Sequence, residues 1–380
     1  MMVLSPVPGA GALPLGLVRP RRVLMTLDAA GGVWRYALDL AAALAEDGYA
    51  MTFAGFGPRP TPAQRREAEA IGTLVWLDAP LDWMAGDESE LATVPGLIAD
   101  LAEAYEADLV HLNLPSQAAG LDLDVPVLVV SHSCVVTWFA AVRRSALPAS
   151  WAWQQRLNRM GFDSADAVIA PSHAHAKALS RAYGPIDKLT VVHNGSDRGR
   201  ETGRKQPYVF AAGRWWDEGK NGAALDAAAA TSPWPVLMAG PLDGANGERF
   251  SPRHAQALGP LAHGEVMAHM ARAAIVASPS LYEPFGLAPL EAARCGAALV
   301  LADNPTYREL WDGAALFAPP HDPDAFGRAI AHLVAEPDLR AELAALAQQR
   351  ATFFSLDRQH RAMSLVYAHL LTPGLARRSA

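Results

Sequence analysis

One unit recurs along this chain: a short apolar run, a polar or glycine-bearing turn, and then a stretch with helical periodicity. RVLMTLD at 22–28 leads through Gly31-Gly32 into VWRYALDLAAALAEDGY at 33–49, and MTFAGFG at 51–57 follows. Strand, glycine loop, helix and strand in that order open an α/β unit with a parallel sheet. Further short runs come at 74–78, 108–113, 126–132, 167–172 and 189–195. Several end in polar residues: Asp28, His111, Asn113, His132, Ser172 and Asn194. Ligands of open α/β sheets sit beyond the carboxyl ends of the strands, so these residues are site candidates, or caps for the helices that follow.

The segment NGSDRGRETGRKQP at 194–207 interrupts the rhythm. It is glycine-rich, charged and almost free of apolar residues, as an interdomain linker is. The unit then restarts, with strands expected at 208–213, 235–240, 274–280 and 297–303 and helices expected within 220–231, 264–273, 285–296 and 322–337. A chain of 380 residues is long enough for two such domains. The expectation is two α/β domains facing each other across a cleft. A last periodic segment, 356–371, has an apolar face that can pack back on either domain.

Composition narrows the classes of function. With 51% hydrophobic and 19% charged residues the chain is neither disordered nor charge-driven. A net charge of −7 argues against a nucleic-acid partner. Cys134 and Cys295 are the only cysteines and form no C-x-x-C, which suits a reduced, cytoplasmic chain. No apolar run reaches the roughly 18 residues of a membrane span. Residues 1–20, apolar but broken by prolines and glycines, read as a flexible leader rather than a signal peptide.

The chemistry concentrates in the second half. Glu283 and Glu291 lie eight residues apart in SPSLYEPFGLAPLEAARCG at 278–296, one in a loop and one in the following helix. Backbone amides near Phe285, Gly286 and Leu287, at the start of that helix, suit a phosphate. The two carboxylates suit sugar hydroxyls on either side of a diphosphate. The competing reading makes Glu283 a helix cap and Glu291 a surface residue. Arg214 and Lys220 follow the strand at 208–213 in GRWWDEGKN and form a plausible diphosphate clamp, an Arg fork beside a Lys point charge. The competing reading makes them solvated surface cations.

The combination resembles the retaining glycosyltransferases of family 4, which have the GT-B fold of two Rossmann-like domains. The family's E-P-F-G-x-x-x-x-E pattern matches Glu283, Pro284, Phe285, Gly286 and Glu291. Its diphosphate-holding Arg and Lys match Arg214 and Lys220, and its early glycine loop matches Gly31-Gly32. The resemblance spans almost all of the chain after residue 21. It implies an acceptor-side domain over 21–195, a linker over 196–206 and a nucleotide-sugar donor domain over 207–355. A C-terminal helix over 356–380 then returns toward the N-terminal domain.

By the same resemblance Glu283 contacts the donor hexose, Glu291 contacts the ribose, and amides near Leu287 and Ala288 meet the phosphates. His132 matches the family histidine near the reacting sugar. Its competing reading is a cap or a loop hydrogen bond. The implied reaction moves a hexose from a UDP-, GDP- or ADP-sugar to a hydroxyl of a glycan, lipid-linked or small-molecule acceptor, as in polysaccharide or envelope glycan assembly. The anomeric configuration is retained, and no metal or other cofactor is expected. Asp122-Leu123-Asp124 reads as a turn rather than a metal motif, and no His/Cys spacing suggests zinc. The alternatives are a GT-B epimerase, a phosphorylase or a non-catalytic nucleotide-sugar binding protein. A dehydrogenase fits least, because the G-x-G-x-x-G spacing is missing.

Residues 138–162 carry Arg143, Arg144, Arg156 and Arg159 with no acid, interleaved with Trp138, Phe139, Trp151, Trp153 and Phe162. Such a segment suits peripheral contact with an anionic membrane at its inner face or with a lipid pyrophosphate. It equally suits two ordinary helices with buried aromatics and solvated arginines.

Overall fold

The computed structural model describes residues 19–199, 203–244 and 247–372. The leader expected over 1–20 therefore lies almost wholly outside the described residues, as do the middle of the 196–206 linker and the last eight residues.

The first domain holds β1 (Arg21–Asp28), β2 (Tyr49–Phe56), β3 (Thr73–Trp76), β4 (Leu109–Leu112), β5 (Val127–Val130), β6 (Ala167–Ala170) and β7 (Leu189–Val191). They form one sheet in the order β3-β2-β1-β4-β5-β6-β7. The second domain holds β8 (Gln206–Ala212), β9 (Val236–Ala239), β10 (Gln256–Gly259), β11 (Ala273–Ser278), β12 (Ala298–Ala302) and β13 (Leu316–Ala318), in the order β10-β9-β8-β11-β12-β13. Each strand-to-strand pairing in both sheets is parallel. The fold is thus two Rossmann-like α/β domains, the GT-B arrangement.

The central strands are buried on both faces. Every residue of β1 from Val23 to Asp28 is buried, and so are all of β4, β5 and β12. Parallel sheets covered by helices on both sides require this, which is why their strands read as continuous apolar runs rather than alternating ones. Two strands carried no such signal. β10 is largely exposed, and β13 has only three residues. Both sit at a sheet edge, where one neighbour and one covered face suffice.

The helix Leu356–Leu370 packs on the first domain. Met363, Tyr367 and Leu370 join a core cluster with Val23, Met25, Leu40 and Leu44. The Tyr367 hydroxyl meets Nδ1 of the fully buried His111 at 2.6 Å. His111, a site candidate by its place at a strand end, therefore serves the core. Burial drives its pKa down to about 3, so the ring is neutral.

Among the described residues no helix is long and apolar enough to cross a membrane. The 138–162 segment is broken, as Pro148 suggests: a helical stretch ends at Arg143, Arg144 takes a left-handed conformation, and a new helix runs over Ala152–Ser164. Arg143 pairs with Glu218, Arg156 with Glu88 and Arg159 with Asp163. Glu218 and Glu88 from other segments, and Asp163 on the same helix, thus offset much of the positive charge seen in the linear sequence.

Tyr367 offers a test of the C-terminal anchor. Tyr367→Phe should cost about 1–3 kcal/mol, because buried His111 Nδ1 loses its partner. Tyr367→Ala should cost about 3–5 kcal/mol from the cavity it leaves. Urea denaturation followed by circular dichroism would read both.

Candidate functional site

The polar ends of the two parallel sheets meet across the interdomain cleft. On the first domain β1 ends at Asp28, and the chain passes through Ala30 and Gly31 into the helix Gly32–Glu46. Asp28 accepts a hydrogen bond from the Ala30 amide at 2.9 Å. Burial raises its pKa, against the opposing pull of that amide and of Arg214.

Arg214 comes from the other domain, two residues after β8. A Cβ placed on Gly31 would lie 2.4 Å from Arg214 Nη1, so no side chain fits there unless the arginine moves. On Gly32 it would lie 3.8 Å from Leu287 Cδ1. The glycine loop thus faces the arginine and the first residue of the helix Leu287–Arg294. Arg214 lies over the Trp216 ring at 5.7 Å and is 3.7 Å from the Asp217 carboxylate. Its Nε is buried and has no hydrogen-bond partner among the described residues.

Lys220 Nζ donates to Glu283 Oε2 at 2.6 Å. The turn and loop carrying the two residues are joined by the backbone, since the Leu281 amide donates to the Gly219 carbonyl at 2.8 Å. Glu283 is therefore not a helix cap. The helix Leu287–Arg294 starts at Gly286, and no side chain caps it. Gly286 has φ +95°, and a Cβ there would come within 2.9 Å of the buried Tyr307 ring, so the turn that opens this helix needs glycine. Phe285 is buried and packs against Phe354 at 5.7 Å.

Glu291 is not a surface residue either. It is 5% exposed, and burial raises its pKa to about 7. His263 Nε2 stands 3.7 Å from its carboxylate. Near it lie ion pairs of the first domain and the linker: Arg198 donates to Asp39 at 2.7 Å, and Arg35 to Glu67 at 2.7 Å. Arg198 and Arg35 favour ionisation of Glu291, while Asp39 opposes it.

His132 follows β5. Its Nε2 meets Asn113 Oδ1 at 2.8 Å, and Asn113 Nδ2 donates to the Thr26 carbonyl at 2.5 Å. The carbonyl fixes the orientation of the amide, so Asn113 presents oxygen to the ring, and the network assigns the proton to Nε2. Nδ1 then carries the lone pair. The Tyr36 ring meets His132 edge-on at 4.3 Å. Burial, with smaller contributions from His111 and His175, lowers the His132 pKa to about 3, so the ring is a neutral hydrogen-bonding group.

Three residues that motif reasoning passed over complete the cleft. The Tyr282 hydroxyl accepts from the Cys134 amide at 3.2 Å and meets Thr137 Oγ1 at 2.8 Å, tying the residue before Glu283 to the loop after His132. Asp217 accepts from Trp138 Nε1 at 3.1 Å and from the Gly219 amide at 2.8 Å. Trp83 stacks on Trp216 at 6.4 Å across the domains. Tyr282 adjoins the E-P-F-G segment and was within reach of sequence reasoning. Trp83 carries no local signal.

The structure thus brings Arg214 and Leu287 against the Gly31-Gly32 loop, pairs Lys220 with Glu283, and ties the loop carrying Glu283 to the His132 side of the cleft. Glu291 lies one turn further along the same helix. Asp122 and Asp124 fall in the loop before β5.

Comparison with known proteins agrees with this architecture. The model of Glycosyltransferase Family 4 matches residues 30–200, and that of Glycosyl transferases group 1 matches residues 237–350. A D-inositol 3-phosphate glycosyltransferase of Xylanimonas cellulosilytica is 29% identical, over 89% of this chain and 92% of its own length. A sucrose-phosphate synthase structure from Thermosynechococcus elongatus superposes with a TM-score of 0.77 at 18% identity, covering 92% of this chain and 99% of that one. Anabaena HepE in complex with UDP and glucose gives 0.74 at 19% identity, with the same coverage.

The buried Glu291 predicts a pH dependence of stability. A carboxyl whose pKa rises on folding, here from 4.5 to about 7, stabilises the fold fully below the lower value. That contribution is lost as pH climbs through the higher one. Glu291→Gln removes this loss. Relative to the parent, the variant should gain up to about 3 kcal/mol between pH 5 and pH 8, at about 1.4 kcal/mol per pKa unit. Paired chemical denaturation curves at the two pH values check it. The chain is a GT-B-fold glycosyltransferase related to the family 4 and group 1 glycosyltransferases.

Proposed function

We propose that the protein is a retaining glycosyltransferase that moves a hexose from a nucleoside-diphosphate sugar to an acceptor hydroxyl. The observation that carries this reading is the convergence on the Gly31-Gly32 loop of a guanidinium with an unpartnered buried Nε and an uncapped helix start. Glu283, paired with Lys220, lies in the loop that leads into that helix. A guanidinium, an ammonium and open amides suit a diphosphate. A carboxylate beside them suits sugar hydroxyls.

In the proposed reaction Arg214 and Lys220 neutralise the diphosphate as the anomeric C–O bond breaks. Amides at Leu287 and Ala288 hold its oxygens. The acceptor hydroxyl attacks from the face that the diphosphate leaves, and its proton passes to a departing phosphate oxygen. Glu283 orients the hexose, and Lys220 fixes Glu283. Glu291, on the same helix, takes the ribose hydroxyls. His132, neutral and held by Asn113, offers Nδ1 to a sugar hydroxyl. Arg214 and Lys220 supply the charge that a divalent metal provides elsewhere, so this part of the reading needs no metal. The acceptor approaches from the first domain and is a glycan, a lipid-linked sugar or a small polyol. Cys134 and Cys295, both free and buried, suit a cytoplasmic setting.

Calorimetric titration with UDP-, GDP- and ADP-sugars, first without and then with Mg²⁺, tests the donor. UDP-glucose comes first, because HepE has been solved with UDP-glucose. One nucleotide class should bind without metal. Glu283→Ala and Lys220→Ala should each slow transfer about 100- to 1,000-fold while circular dichroism stays unchanged. Unimpaired transfer by Glu283→Ala would remove its assigned role. Binding without turnover by the parent, across a panel of acceptors, would favour a non-catalytic binding protein.

A further inference from the structure

Away from the donor site, three side chains with no part in the proposed reaction converge where the domains touch. His173 opens the helix His173–Tyr183 of the first domain, and His193 lies just beyond β7. Glu309 lies in the helix Pro305–Trp311 of the second domain. One ring nitrogen of each histidine and one carboxylate oxygen of Glu309 all lie within 4.8 Å of one another. We propose that His173, His193 and Glu309 form a binding site for a divalent transition-metal ion, zinc by preference, that clasps the two domains.

The donor set is the first argument. Two imidazoles and one carboxylate suit zinc, which takes nitrogen and oxygen ligands at about 2.0–2.2 Å and leaves a fourth position to water. Tetrahedral bonds of that length place ligand atoms about 3.3 Å apart. His193 Nε2 and Glu309 Oε1 are already 3.1 Å apart. The ion takes the place of the proton between them, and the His193 ring then carries its proton on Nδ1. His173 is exposed, and among the described residues its side chain makes a ring contact with His193, with centroids 5.7 Å apart. Rotation of its side chain supplies the contraction that the third bond needs.

The supporting shell is the second argument. Glu309 Oε1 accepts from the His173 amide at 2.9 Å, and Oε2 accepts from the Ala174 amide at 2.6 Å. These two bonds fix the plane of the carboxylate before any ion arrives, as the outer shell of a metal site does. His193 packs against the Phe354 ring at 5.4 Å and the Phe285 ring at 6.4 Å.

The location gives the site a consequence. Two ligands belong to one domain and one to the other, so the ion cross-links them. The residue before His173, Ser172, donates its hydroxyl to the Pro284 carbonyl at 2.7 Å. Phe285 touches His193. The clasp therefore bears on the loop that carries Glu283, and an occupied site holds that loop against the first domain. Relative motion of the domains is restrained by the ion and released when it leaves.

The test uses the full chain stripped with EDTA and titrated with zinc chloride against a chromophoric chelator, with cobalt(II) as a spectroscopic probe. One zinc ion per chain should bind. Cobalt should give the visible bands of a four-coordinate site with nitrogen and oxygen ligands, and the melting temperature should rise with zinc concentration. His173→Ala, a change at an exposed position, should weaken zinc binding at least tenfold without lowering the melting temperature of the metal-free protein. His193→Ala should weaken it further. Failure of the parent to bind zinc stoichiometrically would overturn the proposal. So would binding that persists undiminished in the His173→Ala, His193→Ala double variant, leaving Glu309 as a cap of the His173–Tyr183 helix alone.

Discussion

Strand polarity governs this molecule. Every strand of each sheet runs the same way, so the loops that leave the carboxyl ends collect on one edge of each domain. The two edges face each other. Asp28, His132 and Ser172 arrive from one side, and Arg214, Lys220 and Glu283 from the other. No residue in this group is near its partners in sequence because of a motif that spans the domains. The sheets bring them together.

The contacts that hold the edges together are mostly polar. Tyr282 reaches the Cys134 loop, Ser172 reaches the Pro284 carbonyl, Glu309 caps a helix of the other domain, and Trp138 donates to Asp217. Hydrogen bonds of this kind contribute about 0.5–1.5 kcal/mol each, because water competes for the same groups. An interface built from them can open, exchange these partners for water and close again, which suits a cleft that must admit and release substrates. The returning helix Leu356–Leu370 differs. Its Met363 and Tyr367 sit in the apolar core of the first domain, so it anchors rather than gates.

The second domain tolerates arrangements that a purely structural core would avoid. Glu291 is buried with a pKa near 7, and the Nε of Arg214 is buried without a partner. A buried carboxyl and a buried guanidinium nitrogen left without a partner destabilise a fold unless something else meets their hydrogen-bonding capacity. Such local conflicts concentrate at functional sites. Here Glu291 lies one turn into the helix that opens uncapped after Gly286, and Arg214 faces the Gly31 loop that meets the first residue of that helix.

Much of this was legible in the linear chain. The apolar runs marked β1, β2, β8, β9, β11 and β12 within a few residues, because strands buried on both faces cannot avoid being apolar. The E-P-F-G segment announced the donor loop, since the left-handed turn at Gly286 and the buried ring of Phe285 leave little choice of residue there. The edge strands β10 and β13 were silent, because an edge position does not demand an apolar run. His111 and His132 looked alike as polar residues at strand ends. Only the packing of Tyr367, 256 residues away, made the first a core group, while Asn113 turned the second into an oriented ring in the cleft. Local pattern determines where elements begin, which faces are buried and which motifs are present, because these depend on neighbours in sequence. The apposition of Gly31 with Arg214, the burial of Glu291 and the meeting of His173 and His193 with Glu309 were decided by tertiary structure. They depend on how two independently wound sheets face each other, and no local pattern carries that distance.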